Sequence, residues 1–180
     1  MPRRFLVSDR REPVTMTAEE AAAFAAEVFE RARQGDAAML ARLLDSGVPA
    51  NLRNHKGDTL LMLASYHGHL DAARVLLEHG ADPAIANDNQ QMPLAGAAFK
   101  GDLPMVRLLL EGGGDPDASA GDGRTALMMA AMFNRVAIVD YLLEQGADPH
   151  RRDVRGADAL ASAQAMGAAD TAARLRALAG

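Results

Sequence analysis

One step of thirty-three residues recurs along this 180-residue chain and restricts its fold more than any other feature. Gly35, Gly68, Gly101 and Gly167 stand on one ladder, with Asn134 on the remaining rung. Gly47, Gly80, Gly113 and Gly146 stand on a second, and Leu43-Leu44, Leu76-Leu77, Leu109-Leu110 and Leu142-Leu143 on a third. Nothing is inserted between rungs. A fixed period of this length is the mark of stacked units, each of which covers its apolar face only against its neighbours. Such an architecture offers an extended surface for binding more readily than a closed catalytic pocket.

Composition supports helices in those units. The chain is 49% hydrophobic but only 4% aromatic and has no Trp, so Ala and Leu must fill the core, which suits thin, closely packed helices. A formal charge of −5 gives no basic field for a nucleic-acid backbone, and no nucleic-acid partner is expected. The absence of Cys excludes disulfides, thiolate catalysis and Cys-ligated zinc, and agrees with a reducing, cytoplasmic setting. No stretch approaches the roughly 18 apolar residues of a membrane span, so no membrane partner is expected. Arg3-Arg4-Phe5-Leu6-Val7 faintly resembles a twin-arginine export signal, but the apolar run stops at Ser8 and charges follow. An export signal needs about 7–15 apolar residues. Residues 1–17 are therefore expected to be a disordered tail, and natural translation could begin at Met16.

The first helix announces itself at Thr17-Ala18-Glu19-Glu20, a capping-box pattern in which hydroxyl and carboxylate satisfy free N–H groups. No breaker interrupts Ala21 to Arg33. Gly35 ends that helix, Asp36 can cap the next, and Gly47 stops it, because glycine enters the left-handed region without a Cβ clash. The pattern then repeats: Gly57-Asp58-Thr59-Leu60-Leu61, a helix to His67, a second helix over Leu70–Glu78, and Gly80-Ala81-Asp82-Pro83. Unit boundaries fall at about 18–54, 55–87, 88–120, 121–153 and 154–180 within one domain spanning 18–180. Helices of about nine residues are too short to stand alone in water, so stacking must hold them.

These motifs resemble the ankyrin repeat. The resemblance rests on Gly57-Asp58-Thr59 with Leu61, Gly68-His69, Leu76-Leu77-Glu78-His79-Gly80-Ala81-Asp82, Pro93-Leu94, Gly123-Arg124-Thr125 with Leu127, and Leu142-Leu143-Glu144-Gln145-Gly146-Ala147-Asp148. It covers residues 20 to 180 or so, and it implies an all-α solenoid of about five helix-turn-helix units with projecting, hairpin-like loops. The chain departs from the family pattern at the motif histidine, where Met62, Ala95, Met128 and Ala161 stand. Some polar bracing between units is then expected to give way to Met packing. Met92 replaces the capping Thr59 and Thr125, so Met92→Thr is expected to stabilise the fold by about 0.5–2 kcal/mol. Glu27, Glu30 and Arg31 in the first unit, and Arg174 and Arg176 in the last, fall where inner units carry apolar residues. These charges read as caps on the ends of an array of two capping and three full units.

By that resemblance, partners meet the loop tips and the exposed face of each unit's first helix. The expected protein-binding surface comprises Arg53, His55, Lys56, Asp58, Tyr66 and His67, then Asp88, Asn89, Gln91, Phe99 and Lys100. It continues through Asp122, Arg124, Met132 and Phe133 to Arg152, Val154 and Arg155. Tyr66, Phe99 and Met132 share a rung with Phe133 adjacent, and large groups on successive units can form a ridge of the kind that anchors interfaces. The same spot can equally pack between units.

No chemistry-bearing constellation competes with this reading. His67, His69 and His79 lack the converging ligands that zinc requires, so no metal is expected. Gly112-Gly113-Gly114 and Gly121-Asp122-Gly123 are joined to Asp rather than to the Lys of a phosphate loop, and they read as turns. Ten Met residues serve as adaptable core filler. The expectation is a non-enzymatic, monomeric protein-interaction module without cofactor. A second expectation comes from resemblance to small bacterial ankyrin proteins linked to catalase and oxidant defence: a regulatory or protective accessory of an enzyme.

Overall fold

A computed structural model describes residues 15–179, and the expected tail and the export-signal reading fall largely on residues outside that range. Ten helices and no β-strand form among the described residues. They run α1 (Ala18–Gln34), α2 (Ala37–Asp45), α3 (Leu60–Tyr66), α4 (Leu70–Glu78), α5 (Pro93–Lys100), α6 (Leu103–Glu111), α7 (Ala126–Met132), α8 (Val136–Glu144), α9 (Ala159–Ala165) and α10 (Ala169–Leu178). Each odd-numbered helix packs on the even-numbered helix after it. The odd helices also pack on one another in chain order, as do the even ones, giving two helical layers. Four loops join the pairs, over residues 46–59, 79–92, 112–125 and 145–158, and are called fingers I to IV below.

The core lies between the two layers. Leu40, Leu60, Leu61, Leu76, Met105, Leu109, Leu127 and Leu142 are fully buried, drawn from α2, α3, α4, α6, α7 and α8. Each such side chain contributes about 1.5–3 kcal/mol by leaving water. Alanines fill the gaps: Ala64, Ala98, Ala130 and Ala131 are inaccessible, so neighbouring helices can approach closely. Outward faces are charged at both ends as expected, with Glu27, Glu30, Arg174 and Arg176 exposed. Arg31 instead folds down half-buried between Glu27 at 3.0 Å and Asp36 at 3.3 Å.

Helix starts follow local chemistry. The capping box is complete: Thr17 Oγ1 accepts from the Glu20 N–H, and the Thr17 N–H donates to the Glu20 carboxylate. Thr59, Thr125 and Asp158 cap α3, α7 and α9 through side-chain oxygens, whereas α5 starts at Met92 with no such bond. Burial works against the expected gain from Met92→Thr. Met92 is only 7% exposed, and its packing is worth more than the cap it denies. Asn134 takes the left-handed conformation expected of it (φ 59°). Gln90 does so as well (φ 61°), at the rung where Gly57, Gly123 and Gly156 stand.

Polar bracing between units is present alongside the methionines that stand at the motif-histidine rung. Met62 and Met128 are buried, as expected of packing residues. His69 Nε2 lies 2.7 Å from the Arg33 carbonyl of the preceding unit, and the Arg135 guanidinium donates to the Phe99 carbonyl. Both side chains cross directly over a left-handed glycine. A Cβ on Gly35 would lie 2.4 Å from the His69 ring and one on Gly101 3.0 Å from Arg135, so those glycines open the path. Asn134 reaches the Asp170 and Thr171 N–H groups, and Thr171 Oγ1 donates to the Ala131 carbonyl.

Candidate functional site

Fingers I to III and the exposed faces of α3, α5 and α7 enclose a concave groove of about 690 Å³. Asparagines shape the fingers. Asn54 Oδ1 accepts from the Lys56 and Asp58 N–H groups, and Asn87 Oδ1 from those of Asn89 and Gln91. Asp153 does the same for Arg155 and Ala157 in finger IV. Hydrogen bonds from those backbone groups, Ala157 first, hold its carboxyl below the usual range. Ala120 occupies that rung in finger III, where Asp122 Oδ1 accepts from the Arg124 N–H instead. Adjacent fingers are laced together: Asn87 donates to Asp58 at 2.8 Å, and the Gly121 N–H donates to Gln90 at 2.8 Å. The wall of the groove is therefore pre-ordered.

The structure brings His55, Lys56, Asp58, Tyr66, His67, Asn89, Gln91, Phe99, Asp122 and Arg124 to this one groove. The remaining expected residues lie elsewhere. Arg53 turns toward finger II, donating to the Ala86 carbonyl and standing 3.6 Å from Asp88. Lys100 sits over the Tyr66 ring at 4.3 Å from its centroid, shielding one face. Phe99 meets Phe133 edge to face at 4.6 Å, so the aromatic row packs between units as well as facing outward. Met132 and Phe133 are half-buried beyond the groove lining, and Arg152, Val154 and Arg155 belong to finger IV. Tyr66 is the one strongly exposed member of the row, at 43%.

Sequence reasoning missed part of the floor. Ala95 and Gly96 line the groove on α5, between Met62-Leu63 on α3 and Met129 on α7. The signal was present: one step along the ladder, the α5 rungs carry Ala-Gly where α3 carries Met-Leu and α7 carries Met128-Met129. Among the described residues, no group of three or more His, Asp or Glu side chains is arranged to hold a metal ion. No helix there is long and apolar enough to cross a membrane.

Two layers of short helices, paired in chain order and joined by four fingers, define a helical-repeat solenoid. The family profile described as ankyrin repeats (3 copies) matches residues 28–120 and again 94–177, and the chain belongs to the ankyrin repeat family. It is 60% identical over 52 residues to a Pseudomonas aeruginosa protein described as an ankyrin repeat protein, covering 29% of this chain and 30% of that one. It is 49% identical over 55 residues to human ankyrin repeat domain-containing protein 29, covering 30% of this chain and 18% of that one. The zebrafish protein of the same description is 46% identical over 56 residues, 31% of this chain and 19% of that one. The chain thus spans less than a third of the length of these relatives.

Proposed function

We propose that this chain is a non-enzymatic interaction module whose groove between fingers I to III and helices α3, α5 and α7 docks a protein partner. The observation that carries the reading is the pre-ordered groove itself. Its finger backbone is tied by Asn54 and Asn87, and neighbouring fingers are tied by Asp58–Asn87 and Gln90–Gly121. A wall already ordered loses little conformational entropy on docking, so more of the contact energy appears as affinity. Ankyrin repeats generally serve as protein-interaction modules, and the groove supplies both apolar floor and polar rim, as interfaces do.

The test joins Tyr66→Ala to Gln91→Ala, two exposed side chains of the groove whose loss leaves the buried core intact. Proteins captured by the immobilised chain and identified by mass spectrometry should be lost at least tenfold with the double variant, while circular dichroism melts stay within a few degrees. Undiminished capture would remove the groove from the interaction.

A further inference from the structure

The row of fingers is not laced evenly. Between fingers I and II the Asp88 N–H donates to the Lys56 carbonyl at 3.0 Å. Asn51 Oδ1 accepts from the Asp82 N–H, and the Arg53 guanidinium donates to the Ala86 carbonyl. Fingers III and IV use the first two of these rungs again. The Val154 N–H donates to the Asp122 carbonyl at 3.0 Å, and Asp117 Oδ1 accepts from the Asp148 N–H. Between fingers II and III both rungs fail. Ala84 stands where Asn51 and Asp117 stand, and its side chain offers the Asp115 N–H no acceptor. The Gly121 N–H, at the rung of Asp88 and Val154, donates to the side-chain Oε1 of Gln90 at 2.8 Å instead of to the Asn89 carbonyl. Among the described residues, that is the single hydrogen bond between these two fingers.

Gln90 accounts for the break. It takes the left-handed conformation (φ 61°) at the rung where Gly57 and Gly123 have φ 75° and 73°. Those two glycines leave room that the next finger fills. A Cβ on Gly57 would lie 2.4 Å from Asp88 Oδ1, and one on Gly123 would lie 3.1 Å from Asp153 Cα and 3.3 Å from the Val154 nitrogen. Gln90 carries a Cβ in that conformation, so finger III cannot press its backbone into the same space. A left-handed residue with a side chain is costly, and a hydrogen bond exchanged against water returns little. Gln90 and Gly121 are both exposed, so water competes for their link. The groove straddles this joint: Asn89, Gln90 and Gln91 line it from finger II, and Asp122 and Arg124 from finger III.

We infer that Gln90 is a spacer that holds finger III off finger II, divides the row into two laced pairs, I–II and III–IV, and makes the mouth of the groove adjustable between them. Each pair keeps its own ties, so both walls stay ordered while the gap between them changes. Such motion concentrates the backbone change in a few loop residues, and the order already present within each wall is not lost on docking. An adjustable mouth admits partner segments of unequal width, a consequence that rests on the groove being the docking surface.

The chain contains no Cys, so Lys56→Cys with Val154→Cys places two spin labels at defined sites on fingers I and IV. Three steps between packed helices, at about 8–10 Å each, separate the labels by about 24–30 Å, within reach of pulsed electron paramagnetic resonance. The full chain should show a broad distribution of label distances. Gln90→Gly, which copies Gly57 and Gly123, should shorten and narrow it as the Gly121 N–H takes the Asn89 carbonyl. Gln90→Ala keeps the Cβ and drops the amide, so the distance should stay long. Amide exchange in the unlabelled chain gives a second readout. Gly121 should be about tenfold less protected than Asp88 and Val154. Gln90→Gly should bring it level with them, and Gln90→Ala should lower it further. The inference is overturned if Gly121 is as protected as the other two, if Gln90→Gly leaves the distance unchanged, or if Gln90→Ala shortens it equally. Both readouts use the chain alone. Protein capture that ignores Tyr66→Ala with Gln91→Ala would therefore remove the docking reading and leave the spacer standing.

Discussion

At the scale of single residues, a repeat protein permits comparison of the same position in several surroundings. Thr59, Thr125 and Asp158 place an oxygen where the α3, α7 and α9 N–H groups need one, and Met92 does not. From sequence alone the cap decides the matter, and threonine looks better. The structure adds the opposing quantity. Met92 is 7% exposed, and burying such a side chain yields about 1.5–3 kcal/mol. Restoring a cap yields only about 1 kcal/mol. Met92→Thr is therefore expected to lower stability by about 1 kcal/mol, read as a lower urea midpoint with an unchanged slope. A higher midpoint would mean that the Met92 side chain contributes less than its burial implies.

At the scale of elements, the helices and their stops were legible because each is specified locally. Thr17-x-x-Glu20, Asp36 before α2, and the glycines after α1 and α5 all act within one turn of the backbone. The ties between units were not legible, because they depend on where a side chain lands on its neighbour. His69 and Arg135 stand at the rung where Asp36 and Asp102 cap their own helices, yet they reach back to the preceding unit. The groove was legible as a register but not as a shape. Tyr66 and Phe99 were found by size, while Ala95 and Gly96 matter through atoms they lack. His79 shows the same limit. Its place at the end of α4 suits an imidazole near the helix's negative pole, but its partner Asp45, 3.0 Å away at the end of α2, comes from another unit. The hydrogen bond to Asp45, followed by that to the Val75 carbonyl at 2.7 Å, raises the His79 pKa above the ordinary imidazole value. A raised folded-state pKa adds stability that is complete below the unfolded pKa and lost as pH rises through the folded one. Comparing urea midpoints of the chain and of His79→Gln across pH should therefore show a difference on the acidic side of neutrality that closes as pH rises. A difference that grows with pH would show that the neutral ring makes the tie.

At the scale of the whole molecule, the two layers have no single centre. Leu76 of α4, Leu109 of α6 and Leu142 of α8 are each fully buried, and the even helices that carry them pack only in chain order, α4 on α6 and α6 on α8. Stability in such a stack is a sum of unit terms and nearest-neighbour interfaces. Leu109→Ala removes buried methyl groups from the central unit, at an expected cost of about 2–5 kcal/mol. In a globule with one shared core that loss would loosen every element alike. Here it should be uneven, because opening is governed by local contacts. Amide exchange should speed up most in α5 and α6, next in the flanking α4 and α8, and least in α2 and α10, which lie beyond α4 and α8 in the same layer. Equal acceleration in all ten helices would mean that the units unfold as one cooperative body. The groove would share that fate, since its walls belong to three successive units: fingers I to III stand on α3, α5 and α7, and a fault in α6 loosens the middle support directly. Local opening therefore predicts that Leu109→Ala disturbs the Ala95–Gly96 floor while leaving the capping box at Thr17 protected. The order of amide exchange along the chain distinguishes the two descriptions.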